Sequence, residues 1–252
     1  MRISLELVPR TRATFLDEAV RVRASWPRID TFNVPDGLRF ELGSLAAAQA
    51  LRRLPGLGFP HVVPHLRARD VDGAGAERLP DALATAEVDE VIVIAGDPRP
   101  DAPAGFSGHT PLELIRVLAV RAPHVTAYAA LDPHRYAPDE LARNLAEKRD
   151  AGAAGFFSQP LYDLHTLERC ARLTGDVPVF WGLSPVVSVR SQRYWERVNQ
   201  VRFPPEFEPT LSWSQRFGQR FMQEVAARGH RLYLMPIKVD VGTYLDGLSL
   251  AA

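Results

Sequence analysis

Hydrophobic positions along the chain fall into short, evenly spaced runs separated by longer amphipathic stretches. The runs are rich in Val, Ile, Leu and Phe, as buried parallel strands are. The 252 residues divided among eight such units give about 31 residues each, the usual length of a βα unit. The predicted strands are Ile3–Val8, Ile29–Phe32, Val62–His65, Val91–Ala95, Val125–Ala130, Gly155–Gln159, Val177–Gly182 and Arg231–Met235.

The stretches between these runs carry helix signals. Thr110, Pro111 and Glu113 supply an N-cap, a first-turn proline and a capping-box acid, which predicts a helix running to about Arg121. A second helix begins at Pro138, and Gly152 closes it. A core-facing stripe at four-residue spacing predicts a third, made by Trp213, Phe217, Phe221 and Val225.

Strands that alternate with helices imply a parallel sheet. Eight strands without an interdomain linker favour a closed (β/α)8 TIM barrel, a single α/β domain over residues 1–252. An open doubly wound sheet is the alternative, because strand counting from one sequence is error-prone.

Charge and cysteine content narrow the class of protein. The 30 Lys and Arg balance 30 Asp and Glu, so we expect no nucleic-acid partner and no membrane surface. The lone Cys170 cannot form an internal disulfide, which favours a cytoplasmic protein. The sequence has no apolar run long enough for a membrane span, and no signal peptide is expected because Arg2 and Glu6 interrupt the first stretch. Small molecules are the expected partners.

Glu6 is the most informative polar residue at a strand end. Alternation along the first strand places Ser4, Glu6 and Val8 on one face and bulky aliphatic residues on the other. If the aliphatic face packs on the helices, Glu6 points into the barrel and burial raises its pKa. A buried acid of this kind suits a proton donor. An internal salt bridge or a solvent-facing glutamate is the other interpretation.

The remaining polar strand ends are less specific. Asp97 and Gln159 each precede a proline, as ordinary loop residues often do. His61 and His65 are four apart, but the strand-like segment between them does not favour a metal pair, so no metal is expected. Arg10, Arg67, Arg99 and Lys238 near the predicted mouth are either solvated loop residues or partners for an anionic tail or phosphate.

Short segments near the strand ends follow a recognisable order. They are Leu5-Glu6-Leu7-Val8-Pro9-Arg10, Pro64-His65-Leu66-Arg67, Ala95-Gly96-Asp97-Pro98, Lys148-Arg149-Asp150-Ala151-Gly152-Ala153, Ser158-Gln159-Pro160-Leu161-Tyr162-Asp163 and Trp181-Gly182-Leu183-Ser184-Pro185. In the same order the methylenetetrahydrofolate reductase family carries F-E-F-F-P-P, P-H-L-T, R-G-D-P, K-x-D-A-G-A, T-Q-x-x-x-D and P-G-I-x-P. The chain resembles this family over nearly its whole length.

The resemblance implies reduction of 5,10-methylenetetrahydrofolate to 5-methyltetrahydrofolate, a step of one-carbon metabolism towards methionine, with NADH or NADPH as hydride donor. It implies that Glu6 is the general acid and that Asp97 stabilises the developing cation. Asp97 and Gln159 would hold the pterin ring. The positions that match the family's flavin-lining residues are Thr31, His65, Gly96, His134, Asn144, Lys148 and Ala153.

Several departures affect the FAD that this family binds. Ala95 replaces the arginine of R-G-D, Ala130 stands where the family has a tyrosine, Leu141 replaces an aspartate, and Glu147 replaces an arginine. Loss of an arginine removes a phosphate partner, and Glu147 would repel a diphosphate. These departures resemble a divergent branch in which NADH reduces the folate directly, so we favour a flavin-free reaction over weakly held FAD.

Other functions stay open at this point. A pterin-dependent methyltransferase barrel also needs an acid near the pterin but no hydride donor. A non-catalytic folate-binding barrel would retain the scaffold, although it has no need for a buried acid. The sequence does not decide whether the hydride donor is NADH or NADPH, or whether the one-carbon carrier is folate or a related pterin. It also leaves open whether the protein is a monomer or a homo-oligomer.

Overall fold

The computed structural model of the protein describes residues 1–55, 58, 61–98 and 107–250, and its strands form a closed parallel barrel. Each strand pairs with its neighbour in chain order, and β1 closes the ring against β8. The strands are β1 (Ile3–Glu6), β2 (Thr31–Val34), β3 (His61–Arg67), β4 (Glu90–Ile94), β5 (Thr126–Leu131), β6 (Gly155–Pro160), β7 (Val179–Leu183) and β8 (Arg231–Leu234). The predicted (β/α)8 TIM barrel is therefore confirmed.

Helices surround this ring and alternate with the strands. They are α1 (Arg12–Ser25), α2 (Ser44–Arg52), α3 (Gly73–Thr85), α4 (Pro111–Arg121), α5 (Pro138–Asp150), α6 (Leu164–Thr174), α7 (Val189–Asn199), α8 (Leu211–Ala227) and α9 (Val241–Asp246). A single turn of 3-10 helix, Ala68–Asp70, follows β3. None of the described helices is long and apolar enough to cross a bilayer.

Local sequence signals explain where several of these helices begin. Thr110 and Glu113 form the predicted capping box, and α4 ends at Arg121 as expected. The Trp213 to Val225 stripe is buried on α8, and Cys170 is buried on α6. These elements are set by short-range patterns, so the sequence predicts them correctly.

The second strand begins two residues later than predicted. Asp30 lies just before β2, and its carboxylate accepts a hydrogen bond from the backbone N–H of Ile3 at 3.1 Å. Ile29 is instead fixed by a backbone bond to Trp26 at 3.0 Å. This shift makes Thr31 the first residue of β2 rather than a residue near its carboxyl end.

Two apolar layers hold the barrel. The larger one lies between the strands and the helices, and a smaller one fills the interior of the ring. Phe157 and Phe180 stack in the interior with ring centroids 4.1 Å apart. The rest of the interior layer consists of Val63, Ile92, Tyr128, Tyr233 and Met235. This interior layer separates the polar groups at the amino ends of the strands from those at the carboxyl ends.

Candidate functional site at the carboxyl ends of the strands

Glu6 ends β1 and lies beside Asn33 of β2 and Tyr233 of β8. The strand alternation carries Ser4 and Glu6 into the interior, and Glu6 is in register with Asn33. The Tyr233 hydroxyl donates a hydrogen bond to Glu6 Oε2. Burial raises the pKa of Glu6, and the Tyr233 hydrogen bond opposes that rise. The side chain points inward, as the alternation along the strand predicts, and it stays partly accessible.

Asn33 and His65 extend this polar cluster to β3. His65 Nε2 contacts Asn33 Oδ1, and because a carbonyl oxygen only accepts, the ring carries its proton on Nε2. Burial lowers the pKa of His65 to about 3, so its ring is neutral at physiological pH. The Tyr233 hydroxyl lies 3.2 Å from the same Asn33 oxygen.

Tyr233 is the residue that the sequence did not single out. It sits within an apolar run, where an aromatic residue is ordinarily read as core. Its position two residues from the strand start, on the inward face, is the only signal that its hydroxyl reaches the interior. Its partner Glu6 lies 227 residues away in the chain, which no local pattern relates to it.

Asp97 stands in the loop after β4, on a segment that Arg67 holds in place. Arg67 Nη2 donates to the Asp97 carbonyl at 2.7 Å, and Arg67 Nε lies 3.0 Å from Asp70 Oδ2. Gly96 adopts a φ of +78°, and a Cβ there would meet Arg67 Nε at 2.9 Å. The Asp97 side chain is exposed, so its carboxylate is available to a ligand.

Among the basic residues near the mouth, Arg67 is neither solvated nor free, because its side chain is only 5% exposed in this ion pair. Arg10 is exposed, and the Lys238 ammonium lies 5.7 Å from the centre of the Tyr194 ring. Arg99 lies outside the described residues.

Gln159 lies at the end of β6, beside an irregularity in the sheet. The register with β7 shifts between Phe157 and Pro160. The Ser158 hydroxyl bridges the two strands there, since it lies 2.7 Å from the Gly182 backbone N–H and 2.8 Å from the Gln159 carbonyl. A bulge of this kind re-aims side chains near active sites. Gln159 itself is partly exposed.

His134 and Lys148 contact backbone carbonyls near the ends of β6 and β5, and Asn144 lies one helical turn before Lys148 on α5. His134 Nε2 lies 2.8 Å from the Pro160 carbonyl, and Lys148 Nζ donates to the Ala130 carbonyl at 2.7 Å. Burial lowers the pKa of Lys148 to about 8, although the charges of neighbouring carboxylates oppose the change. The Asn144 Oδ1 atom is buried without a hydrogen-bond partner among the described residues.

Thr31 and Ala153 lie apart from this end of the barrel. Thr31 begins β2, and its hydroxyl accepts a hydrogen bond from Arg2 Nε at 2.8 Å. Ala153 precedes β6, in the turn that follows α5. Both positions belong to the amino ends of the strands, so the structure does not bring them together with Glu6. Within the described residues, no cluster of His, Cys, Asp or Glu is arranged to hold a metal ion.

The fold and the site together define a (β/α)8 barrel with a partly buried, inward-pointing acid and polar side chains at the carboxyl ends of its strands, the usual position of active sites in this fold. The sequence model of the methylenetetrahydrofolate reductase family matches residues 44–228, and the chain belongs to this family. The matched range includes Asp97 and Gln159 but not Glu6 or Tyr233. No curated protein matches the sequence.

Solved structures share the fold at low sequence identity. An uncharacterized protein from Clostridium thermocellum that binds two copies of 5-methyl-5,6,7,8-tetrahydrofolic acid superimposes with a TM-score of 0.69 and 12% identity, covering 99% of this chain and 93% of that one. A 2,3-dimethylmalate lyase superimposes with a TM-score of 0.60 and 12% identity, covering 98% of this chain and 78% of that one. An oxaloacetate acetylhydrolase superimposes with a TM-score of 0.57 and 11% identity, covering 94% of this chain and 75% of that one. At such identities the likeness shows the fold alone.

Proposed function

We propose that this protein reduces 5,10-methylenetetrahydrofolate, or the corresponding form of a related pterin carrier, to the 5-methyl compound with NAD(P)H. The observation that carries the proposal is Glu6, a partly buried acid that points into the barrel at the carboxyl ends of the strands and whose pKa is raised by burial. Membership of the reductase family and the folate bound by a protein of the same fold support the substrate class.

The reaction needs a proton before it needs a hydride. The one-carbon group of the substrate bridges two nitrogens, and protonation of the departing nitrogen opens the bridge to an iminium cation. Glu6 would donate that proton and become a carboxylate, which solvent later protonates. The nicotinamide then transfers a hydride to the iminium carbon, so that the carbon is reduced to a methyl group and NAD(P)H is oxidised to NAD(P)+.

Asp97 and Gln159 would bind the pterin from the far side of the mouth. The exposed Asp97 carboxylate would accept hydrogen bonds from the pterin and stabilise the cation. Gln159 has one donor end and one acceptor end, which suits the edge of a pterin ring. The buried Arg67 would keep the Asp97 loop in position during turnover.

The residues near β4 and α5 do not fit a flavin diphosphate. Ala95 offers no cation, and Glu147 adds an exposed negative charge. Leu141 is buried in the core, so it cannot face a cofactor. Lys148 is already hydrogen-bonded to a backbone carbonyl and lies near Asp132. This set supports direct hydride transfer from the nicotinamide.

The test follows NADH and NADPH oxidation with methylenetetrahydrofolate, using protein purified without added flavin. We expect turnover without FAD and no stimulation when FAD is added. Absence of turnover under both conditions would refute the reductase. Methyl transfer from 5-methyltetrahydrofolate to a corrinoid would then indicate the methyltransferase, and folate binding without either reaction would indicate a binding protein. Stoichiometric flavin absorbance in the purified protein would refute direct transfer.

A further inference from the structure

Four polar side chains make a continuous hydrogen-bonded line across neighbouring strands at the carboxyl end of the barrel. The line runs from Glu6 through the Tyr233 hydroxyl and the Asn33 oxygen to His65 Nε2. Strands β8, β1, β2 and β3 supply these residues and are adjacent in the ring. All four side chains are therefore positioned by the sheet itself and not by loops.

The Tyr233 hydroxyl has one proton and two acceptors. Glu6 Oε2 is one acceptor, and Asn33 Oδ1, at 3.2 Å, is the other. His65 already donates to that Asn33 oxygen, which keeps the oxygen rather than the amide nitrogen turned towards Tyr233. A carboxylate is a stronger acceptor than an amide, whereas a protonated carboxyl group is not. The preferred partner of the tyrosine proton therefore depends on the charge of Glu6.

We propose that Tyr233 is a positioning residue for Glu6, and that its hydroxyl proton turns from Asn33 to Glu6 when Glu6 loses its own proton. No covalent bond changes at Tyr233; the O–H group rotates about the C–O bond. The carboxylate left after proton donation is thereby stabilised inside the barrel. The catalytic meaning of this step rests on the proposed function, but the hydrogen-bond exchange itself does not.

The surroundings of Glu6 leave Tyr233 as its main electrostatic partner. Among the residues that the structure describes, the ionisable side chain that forms a hydrogen bond with Glu6 is Tyr233 on β8. His65 on β3 is neutral, as its pKa of about 3 requires. Arg10 and Lys238, beyond the ends of β1 and β8, are exposed to solvent. Removal of the Tyr233 hydroxyl should therefore produce a measurable change in the titration midpoint of Glu6.

The experiment is an infrared titration of the intact protein that follows the C=O band of the protonated Glu6 carboxyl. Subtraction of the spectrum of Glu6→Gln identifies that band. Tyr233→Phe should raise the midpoint of Glu6 titration by about one pH unit, since a hydrogen bond to a charged group contributes about 1.5 kcal/mol or more. An unchanged or lowered midpoint would overturn the proposal.

Tyr128→Phe is the matched control. Tyr128 and Tyr233 both lie edge-on to Phe157, at 5.3 and 5.2 Å between ring centroids, but the Tyr128 hydroxyl contacts Arg231 at the other end of the barrel. This variant should leave the Glu6 midpoint unchanged. An equal rise in both variants would mean that loss of packing, not of the hydrogen bond, is responsible, and would refute the role of the hydroxyl.

A second variant tests the exchange if Tyr233→Phe does not fold. Asn33→Leu removes the competing acceptor, so the tyrosine proton stays with Glu6 and the midpoint should fall. A midpoint that does not fall would refute the exchange.

Because the titration needs no turnover, it decides the role of Tyr233 even if the NAD(P)H assay fails. If the enzyme turns over, Tyr233→Phe should also shift the alkaline limb of the pH profile of kcat to higher pH. An alkaline limb at the wild-type pH would count against the proposal.

Discussion

Arg2 and Glu90 form a two-point ion pair across the amino end of the barrel, joining the segment before β1 to β4. Arg2 Nη1 lies 2.8 Å from Glu90 Oε1, and Nη2 meets Oε2. Burial would raise the pKa of Glu90, but the hydrogen bond and charge of Arg2 outweigh it and lower the pKa. Arg2 and Arg231 also lie over the Phe180 ring, at 5.1 and 5.2 Å from its centre. This cluster closes the end of the barrel opposite the candidate site.

Glu90→Gln should destabilise the protein by about 3 kcal/mol, because it leaves the largely buried Arg2 guanidinium without its countercharge. Urea unfolding at neutral pH measures the change. Glu168→Gln breaks an exposed pair with Arg172 and should cost less than about 0.5 kcal/mol. Comparable losses in the two variants would show that the amino-end pair contributes no more than a surface contact.

Glu6→Gln should lower kcat for methylenetetrahydrofolate reduction by a factor of about 10² to 10⁴, the usual contribution of a general acid. Glutamine keeps the size and the acceptor for Tyr233, so folate binding and the unfolding midpoint should change little. Steady-state kinetics and equilibrium folate titration measure these effects. A variant with wild-type turnover would exclude Glu6 as the proton donor.

His65 should make the folded protein sensitive to acid. Its folded-state pKa of about 3 lies below the ordinary value of 6.5, so between those values the unfolded chain binds a proton that the folded protein does not. The stability associated with this group is lost as pH falls from about 6.5, by up to about 1.4 kcal/mol per pH unit.

His65→Gln keeps a neutral donor near Asn33 and removes this titration. Urea midpoints between about pH 7 and pH 4 should therefore decline less steeply in the variant than in the wild type. His165→Gln, an exposed substitution on α6, should follow the wild-type curve. Parallel curves for wild type and His65→Gln would show that His65 is not the group responsible.

Gly96→Ala should destabilise the protein by more than backbone strain alone. The φ of +78° is costly for alanine, by about 1–2 kcal/mol, and the new Cβ would also displace Arg67 from Asp97. Gly229→Ala is the control, because its φ is +67° and nothing lies within 4 Å of the added carbon. We expect a larger loss of stability and weaker folate binding in Gly96→Ala only. Equal effects would mean that the Arg67 contact does not matter.

The sequence predicts the barrel well because each βα unit carries its own short-range signals, such as the capping box at Thr110 and the stripe on α8. It places Glu6 in the interior for the same reason, since alternation along one strand decides the face. It places Thr31 near the carboxyl end of a strand, whereas β2 begins at Thr31, two residues after the start of the apolar run that predicts the strand. Tyr233 could not be paired with Glu6 by any local pattern.

The pairing of β1 with β8 determines when the contact between Glu6 and Tyr233 can form during folding. Glu6 and Tyr233 stand on the first and last strands of the ring, so their contact forms only when the ring closes. A chain in which β8 is not yet paired with β1 would lack the hydrogen bond from Tyr233 to Glu6. The infrared band of the Glu6 carboxyl would therefore report barrel closure in a refolding experiment.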